Sequence, residues 1–165
     1  MIGNDIIDLA VAKKESNWER PGFLQKIFTE REQTLILSCK NPEILVWNLW
    51  SRKEAAYKIY NRITGIRAYI PHLLECFYEN EHSGTVKCRG NLFFTKTIII
   101  GDQIHTVAVS NKEDLSQIEF LERPVSIQKT NGIPFYIDPI SQKQIPISIS
   151  NHGRYNACVR IQQII

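Results

Sequence analysis

The stretch Glu43-Ile44-Leu45-Val46-Trp47-Asn48-Leu49-Trp50-Ser51-Arg52-Lys53-Glu54-Ala55-Ala56-Tyr57-Lys58-Ile59-Tyr60-Asn61-Arg62 decides how the rest of the chain reads. Val46, Trp47, Trp50, Ala55, Tyr57 and Ile63 give it a broad apolar face at helical spacing. Asn41-Pro42 is a turn signal in front of it, and Thr64-Gly65 stops it, with Gly65 suited to a left-handed cap. A helix from Glu43 to about Arg62 is therefore expected, with one side buried.

Toward the C-terminus the character changes from Ile70 onward. Leu73–Glu79, Gly84–Arg89, Leu92–Ile100 and Gln103–Ser110 are rich in β-branched and aromatic residues, and Gly101-Asp102 is a hairpin turn. A flexible polar connection from Asn111 to Gln117 follows. Ile118–Leu121 and Ile133–Ile137 are short strand candidates, and Pro146–Ser150 and Tyr155–Ile161 flank an Asn151-His152-Gly153 turn. Toward the N-terminus, Met1–Leu9 reads as a strand and Phe23–Leu37 as a helix. Inside that helix Thr29 can act as an N-cap with Glu32 at the capping-box position, marking a fresh start. The pattern predicts an α+β fold, early helices packed on a mainly antiparallel sheet, as one domain over residues 1–165.

Composition excludes some functions. The net charge of +3, from 20 Lys plus Arg against 17 Asp plus Glu, is scattered, without the basic stripe of a nucleic-acid protein. Cys39, Cys76, Cys88 and Cys158 form no CxxC pair, which argues against a structural zinc site. Met1 runs straight into Asp5 and Asp8 with no secretory pattern, and no apolar run is long enough to span a bilayer. A cytoplasmic protein with reduced thiols and no membrane partner is the expectation.

Three clusters have residues suited to chemistry. In Gly3-Asn4-Asp5-Ile6-Ile7-Asp8 the two acids fall on opposite faces of a strand, so one of them can enter a given site. A carboxylate at a strand end is a hard oxygen ligand for Mg²⁺, or simply a solvated acid. In Trp50–Lys58, Glu54 and Lys58 share a helix face beside Trp47 and Trp50. That pair is either a poorly solvated carboxylate at an aromatic edge or an ordinary exposed ion pair. Pro146–Tyr155 offers Ser148, Ser150, His152 and Arg154 around a glycine turn, suited to phosphate or to a plain polar hairpin.

In this order, the clusters resemble the 4′-phosphopantetheinyl transferase superfamily. Gly3-Asn4-Asp5 resembles its Gly-x-Asp motif, and Trp50-Ser51-Arg52-Lys53-Glu54-Ala55-Ala56-Tyr57-Lys58 its Trp/Phe-Ser/Ala-x-Lys-Glu-Ala-x-x-Lys helix. Phe28-Thr29-Glu30-Arg31-Glu32, Asn131-Gly132-Ile133-Pro134 and Ser148-Ile149-Ser150 are similar to three further segments of the family. The resemblance implies Mg²⁺ held by Asp5 and Glu54, with coenzyme A as co-substrate. It implies catalytic roles for Glu54 and Lys58, and coenzyme A contacts from Lys53, Lys58, Ser150, Asn151 and His152. The implied partner is an apo acyl or peptidyl carrier protein, whose serine receives the phosphopantetheine arm while 3′,5′-ADP leaves. One motif set without a repeat resembles the short family members that form homotrimers, with active sites between subunits.

The chain departs from the family pattern at three places. Asn151 stands where a family histidine aligns, with His152 one place later, and Asp8 stands where the carrier-protein-synthase branch has Glu. The segment Ile70–Ser110 is also longer and richer in strands than a minimal module needs. A non-catalytic module that binds coenzyme A or a carrier protein fits the same motifs. An unrelated α+β scaffold with a solvated Glu–Lys helix face is the remaining reading.

Overall fold

The computed structural model describes residues 1–122 and 126–162. Its centre is the expected helix, α4, which runs from Pro42 to Thr64 and ends on Gly65 at φ 71°. Before it come β1 (Ile2–Asp8), α1 (Leu9–Glu15), α2 (Phe23–Ile27) and α3 (Glu30–Ser38). After it come β2 (Glu75–Tyr78), β3 (Ser83–Cys88), β4 (Asn91–Ile100) and β5 (Gln103–Val109). The chain continues with β6 (Ile118–Leu121), β7 (Ile127–Thr130), β8 (Ile133–Ile137), β9 (Gln144–Pro146), β10 (Ser148–His152) and β11 (Tyr155–Ile161).

The first five strands form one antiparallel sheet in the order β1-β5-β4-β3-β2, so the Ile70–Ser110 segment supplies most of the surface on which α4 lies. Trp47, Leu49, Ala55, Ala56 and Ile59 of α4 share a core with Phe93, Ile104 and Ala108 of the sheet. A chain of hydroxyls, Ser51 to Thr106 at 2.6 Å and Thr106 to Thr97 at 2.8 Å, crosses the same interface and gives these three buried hydroxyls partners. Gly3 lies where α4 crosses β1, and a Cβ there would run into the Ala55 carbonyl oxygen. The opposite face carries a smaller core of Ile2, Val107, Val109 and Val159, against which the sheet β10-β11-β6 docks. A third small sheet, β7-β8-β9, is tied to the start of β10 by the Ile147 N–H, which donates to the Pro134 carbonyl at 3.2 Å.

Several expectations need correction. The Phe23–Leu37 segment is two helices, because the capping box at Thr29 is real. The Thr29 hydroxyl accepts the Glu32 N–H at 3.3 Å, and the Glu32 carboxylate accepts the Thr29 N–H at 2.9 Å. A chain that satisfies the first N–H groups of a new helix has a reason to restart there. Pro71–Leu73 is a 3₁₀ turn, so β2 begins later than expected, and Lys112–Gln117 is a 3₁₀ helix rather than a flexible connection. The last hairpin turns at Gly153-Arg154, which leaves Asn151 and His152 inside β10. Helix α1 and strands β7 and β9 were not anticipated. Among the described residues no helix is long and apolar enough to cross a membrane.

Candidate active site

Strand β1 is an edge of the large sheet, and its outer backbone groups meet side chains rather than another strand. Ser148 Oγ accepts the Asn4 N–H at 2.9 Å, Ser150 Oγ the Ile6 N–H at 3.1 Å, and His152 Nδ1 the Asp8 N–H at 2.9 Å. The alternation of β10 puts all three on one face. From α4, Lys58 donates to the carbonyls of Asn4 (2.5 Å) and Ile149 (3.1 Å), and Arg62 to those of Ile2 (2.7 Å) and Ile147 (2.8 Å). Helix α4, β1 and the β9–β10 segment are thus sewn together by side chains with Asp5 in the seam.

Asp5 and Glu54 line one cavity of about 300 Å³ with Ile6, Trp47, Trp50, Asn151 and His152. Burial raises the Asp5 carboxyl above its ordinary range, opposed by Lys58, the Ser150 hydrogen bond and His152. Burial and then the Asp5 charge push Glu54 up to about 7, while Lys58 and Tyr69 pull it back. Lys58 is lowered by burial, against the pull of Asp5 and Glu54. Two crowded acids with one inward lysine make a site short of positive charge.

A divalent cation fits that deficit. The residues that would hold it are Asp5 and Glu54. Among the described residues no group of three or more His, Cys, Asp or Glu side chains converges on a metal position. A two-carboxylate site suits Mg²⁺, which keeps several waters and takes substrate oxygens for the rest of its shell.

Asp5, Glu54, Asn151 and His152 therefore line this cavity, while Lys58 lines the neighbouring one with its ammonium 3.9 Å from Asp5 Oδ1, and Ser150 hydrogen-bonds to Asp5. His152 shares its face with Ser148 and Ser150, whereas Asn151 is exposed and reaches both this cavity and a second one of about 420 Å³. Because His152 Nδ1 accepts an N–H, its ring proton lies on Nε2, which sits 3.9 Å from the Glu15 carboxylate at the cavity's edge.

Lys53 does not join them. It is 0% exposed, its Nζ lies 2.7 Å from Glu32, and it donates to the carbonyls of Pro71 (3.0 Å) and Leu74 (2.6 Å). All three of its protons are used in the core, so its expected coenzyme A contact is withdrawn.

Among the other neighbours of the site, the pairing of Asp8 with Arg154 and the position of Tyr69 were not visible in the sequence. Asp8 is fully buried, accepts the Ala10 and Val11 N–H groups as the cap of α1, and takes Arg154 through Nε and Nη2 at 2.8 Å each. Gly153 at φ 53° lets the turn close on it, since a Cβ there would lie 2.6 Å from Asp8 Oδ2. Trp47, Trp50, Tyr69 and Tyr57 stack edge to face in a continuous wall, with the buried Tyr69 hydroxyl on the Glu54 side. The only sequence signal for Tyr69 is an aromatic residue just past the helix, too common to be read.

Comparison with known proteins identifies the family. Residues 1–108 match the 4′-phosphopantetheinyl transferase superfamily. The holo-[acyl-carrier-protein] synthase of Lachnoclostridium phytofermentans is 32% identical over 114 residues, covering 69% of this chain and 87% of that protein. The crystal structure of the Neisseria meningitidis holo-[acyl-carrier-protein] synthase shares the fold at a TM-score of 0.55 and 17% identity, over 67% of this chain and 97% of that one. A Chronobacterium ammoniagenes synthase solved as a coenzyme A complex aligns at a TM-score of 0.50 and 14% identity, over 65% of this chain and 93% of that one. The chain belongs to the 4′-phosphopantetheinyl transferase superfamily and is a phosphopantetheinyl transferase of the holo-[acyl-carrier-protein] synthase type.

Proposed function

We propose that the protein transfers 4′-phosphopantetheine from coenzyme A to a serine of an apo acyl or peptidyl carrier protein, in a Mg²⁺-dependent reaction that releases 3′,5′-ADP. The observation that carries this reading is the placement of Asp5 and Glu54 in one cation-poor cavity. A bound Mg²⁺ supplies Lewis-acid neutralisation of the pyrophosphate charge as the leaving group departs.

The chain's own residues do the rest. Glu54, or a water that it holds, takes the proton of the carrier serine. The serine oxygen then bonds to the β-phosphorus while the bond from that phosphorus to the 3′,5′-ADP oxygen breaks, a displacement that depends on alignment. His152 offers its Nε2–H to a phosphate oxygen and does not compete with Glu54 as base. Lys58 contributes its charge through space, because carbonyls and Asp5 hold its ammonium. The 420 Å³ cavity, lined by Lys58, Arg62 and Lys129 and joined to the first through Asn151, suits the anionic nucleotide half of coenzyme A. The chain acts as a single cytoplasmic transferase domain, and the family resemblance favours a homotrimer.

Intact-mass spectrometry of an apo carrier protein incubated with this protein, coenzyme A and Mg²⁺ tests the reading. A gain of one phosphopantetheine group that disappears with EDTA supports it. A gain that persists in EDTA removes the metal requirement, and no gain across several carrier proteins removes the proposed acceptor class.

A further inference from the structure

We infer that Ser150 is a positioning residue for the Asp5 carboxylate and makes no contact with coenzyme A. The inference rests on the reading above, in which Asp5 holds a divalent cation. A serine hydroxyl has one proton to give, and Ser150 gives it to Asp5 Oδ1 at 3.0 Å. Ser150 Oγ in turn accepts the Ile6 N–H at 3.1 Å, and Ser150 is 7% exposed. No proton and almost no surface remain for a phosphate.

Lys58 strengthens the arrangement from the other side. Its ammonium lies 3.9 Å from the same Oδ1 and donates to the carbonyls of Asn4 and Ile149, the residues immediately before Asp5 and Ser150. It therefore holds the backbone of both partners in register. The ladder continues on either side through Ser148 and His152, so Ser150 cannot shift along β1 without breaking two further hydrogen bonds. Both the serine and the lysine engage Oδ1, and neither engages Oδ2. An aspartate's last torsion is broad, and fixing one oxygen fixes the plane in which the other is presented. Partners of this kind behind a ligating carboxylate influence metal affinity by about 10–100-fold.

The test separates cation binding from coenzyme A binding. Mn²⁺ serves as the probe, its binding followed by electron paramagnetic resonance with saturating coenzyme A, for the wild type, Ser150→Ala and Ser150→Thr. Coenzyme A affinity is measured in EDTA by calorimetry on the same proteins. Ser150→Ala is expected to weaken Mn²⁺ binding at least about tenfold with metal-free coenzyme A affinity unchanged, and Ser150→Thr, which keeps the hydroxyl, to restore it. Should Ser150→Ala fail to fold, Ser150→Cys keeps the volume with a poor donor and gives the same reading. A loss of coenzyme A affinity in EDTA, or unaltered Mn²⁺ binding in the alanine variant, overturns the inference. A wild type that binds no Mn²⁺ overturns the metal reading itself, which is a distinct result.

Discussion

Lys53 and Glu54 are neighbours on α4, and each belongs to an acid–lysine cluster with a different fate. Lys53 and Glu32 are 0% and 1% exposed, and both are well partnered: Thr29 and Cys76 donate to Glu32, and the Pro71 and Leu74 carbonyls accept from Lys53. Glu54, Asp5 and Lys58 lie on the other side of the helix with two acids for one lysine, next to an open cavity. The residue types are the same, and the difference is satisfaction. A saturated buried network fixes one structure, whereas an unsaturated one keeps capacity for a ligand.

The largest effect expected from this contrast is on turnover. Glu54→Gln removes the base and a proposed cation ligand, and transfer should fall by about 10²–10⁴, measured by carrier-protein mass gain. Its melting temperature should hold or rise, because a carboxyl disfavoured by burial has gone. A variant that loses activity only by unfolding would place Glu54 with Lys53 as a structural group.

Lys53→Met should do the reverse. It keeps the aliphatic volume and leaves Glu32 charged and buried, at a cost of about 3–5 kcal/mol in urea unfolding. The double variant with Glu32→Gln should recover part of that loss, since no charge is then stranded. A stable Lys53→Met protein with weakened coenzyme A binding would contradict the assignment of Lys53 to the core.

A pH dependence separates the clusters further. The folded Glu54 pKa of about 7 lies above its ordinary 4.5, so the native state holds the extra proton. The metal-free protein therefore loses stability as pH rises between those values, on the order of 3 kcal/mol in full. His105, lowered to about 4 from 6.5 by burial and then Lys58, has the opposite slope over its own window. The difference between wild type and Glu54→Gln isolates the glutamate. Melting curves in EDTA at pH 5 and 8 should show that difference shrinking the wild type's stability at pH 8, with Mg²⁺ restoring it. A pH-independent difference would mean that Glu54 is as well compensated as Glu32.

Much of this contrast was legible in the order of residues and some was not. Helical spacing announced α4, and the alternation of Ser148 and Ser150 placed two hydroxyls on one face, because both depend on local period. Glu54 and Asp5 were legible through motif resemblance, yet the same motif offered Lys53 with equal weight. Nothing in the local sequence tells that Lys53 meets a glutamate 21 residues earlier or carbonyls 18 and 21 residues later. The Asp8–Arg154 contact spans 146 residues and was invisible for the same reason. The break at Phe28 was written in Thr29 and Glu32, but the apolar period runs across it and suggests one helix.

That break supplies the smallest and most local test. Thr29 caps α3 and, through the Glu32 carboxylate that bonds its N–H, connects the cap to the buried Lys53 pair. Thr29→Ala removes the hydroxyl that accepts the Glu32 N–H and leaves the Glu32 carboxylate with the backbone N–H at position 29, Cys76 and Lys53. An isolated N-cap is worth about 1 kcal/mol, and that is the loss expected in urea unfolding. In a Lys53→Met/Glu32→Gln background the two effects share Glu32 and should not add. Additive losses would mean that the cap and the buried pair are independent, and that the core cluster is less tightly joined than its hydrogen bonds indicate. Transfer activity should be untouched by Thr29→Ala, since this side of α4 holds no group of the site.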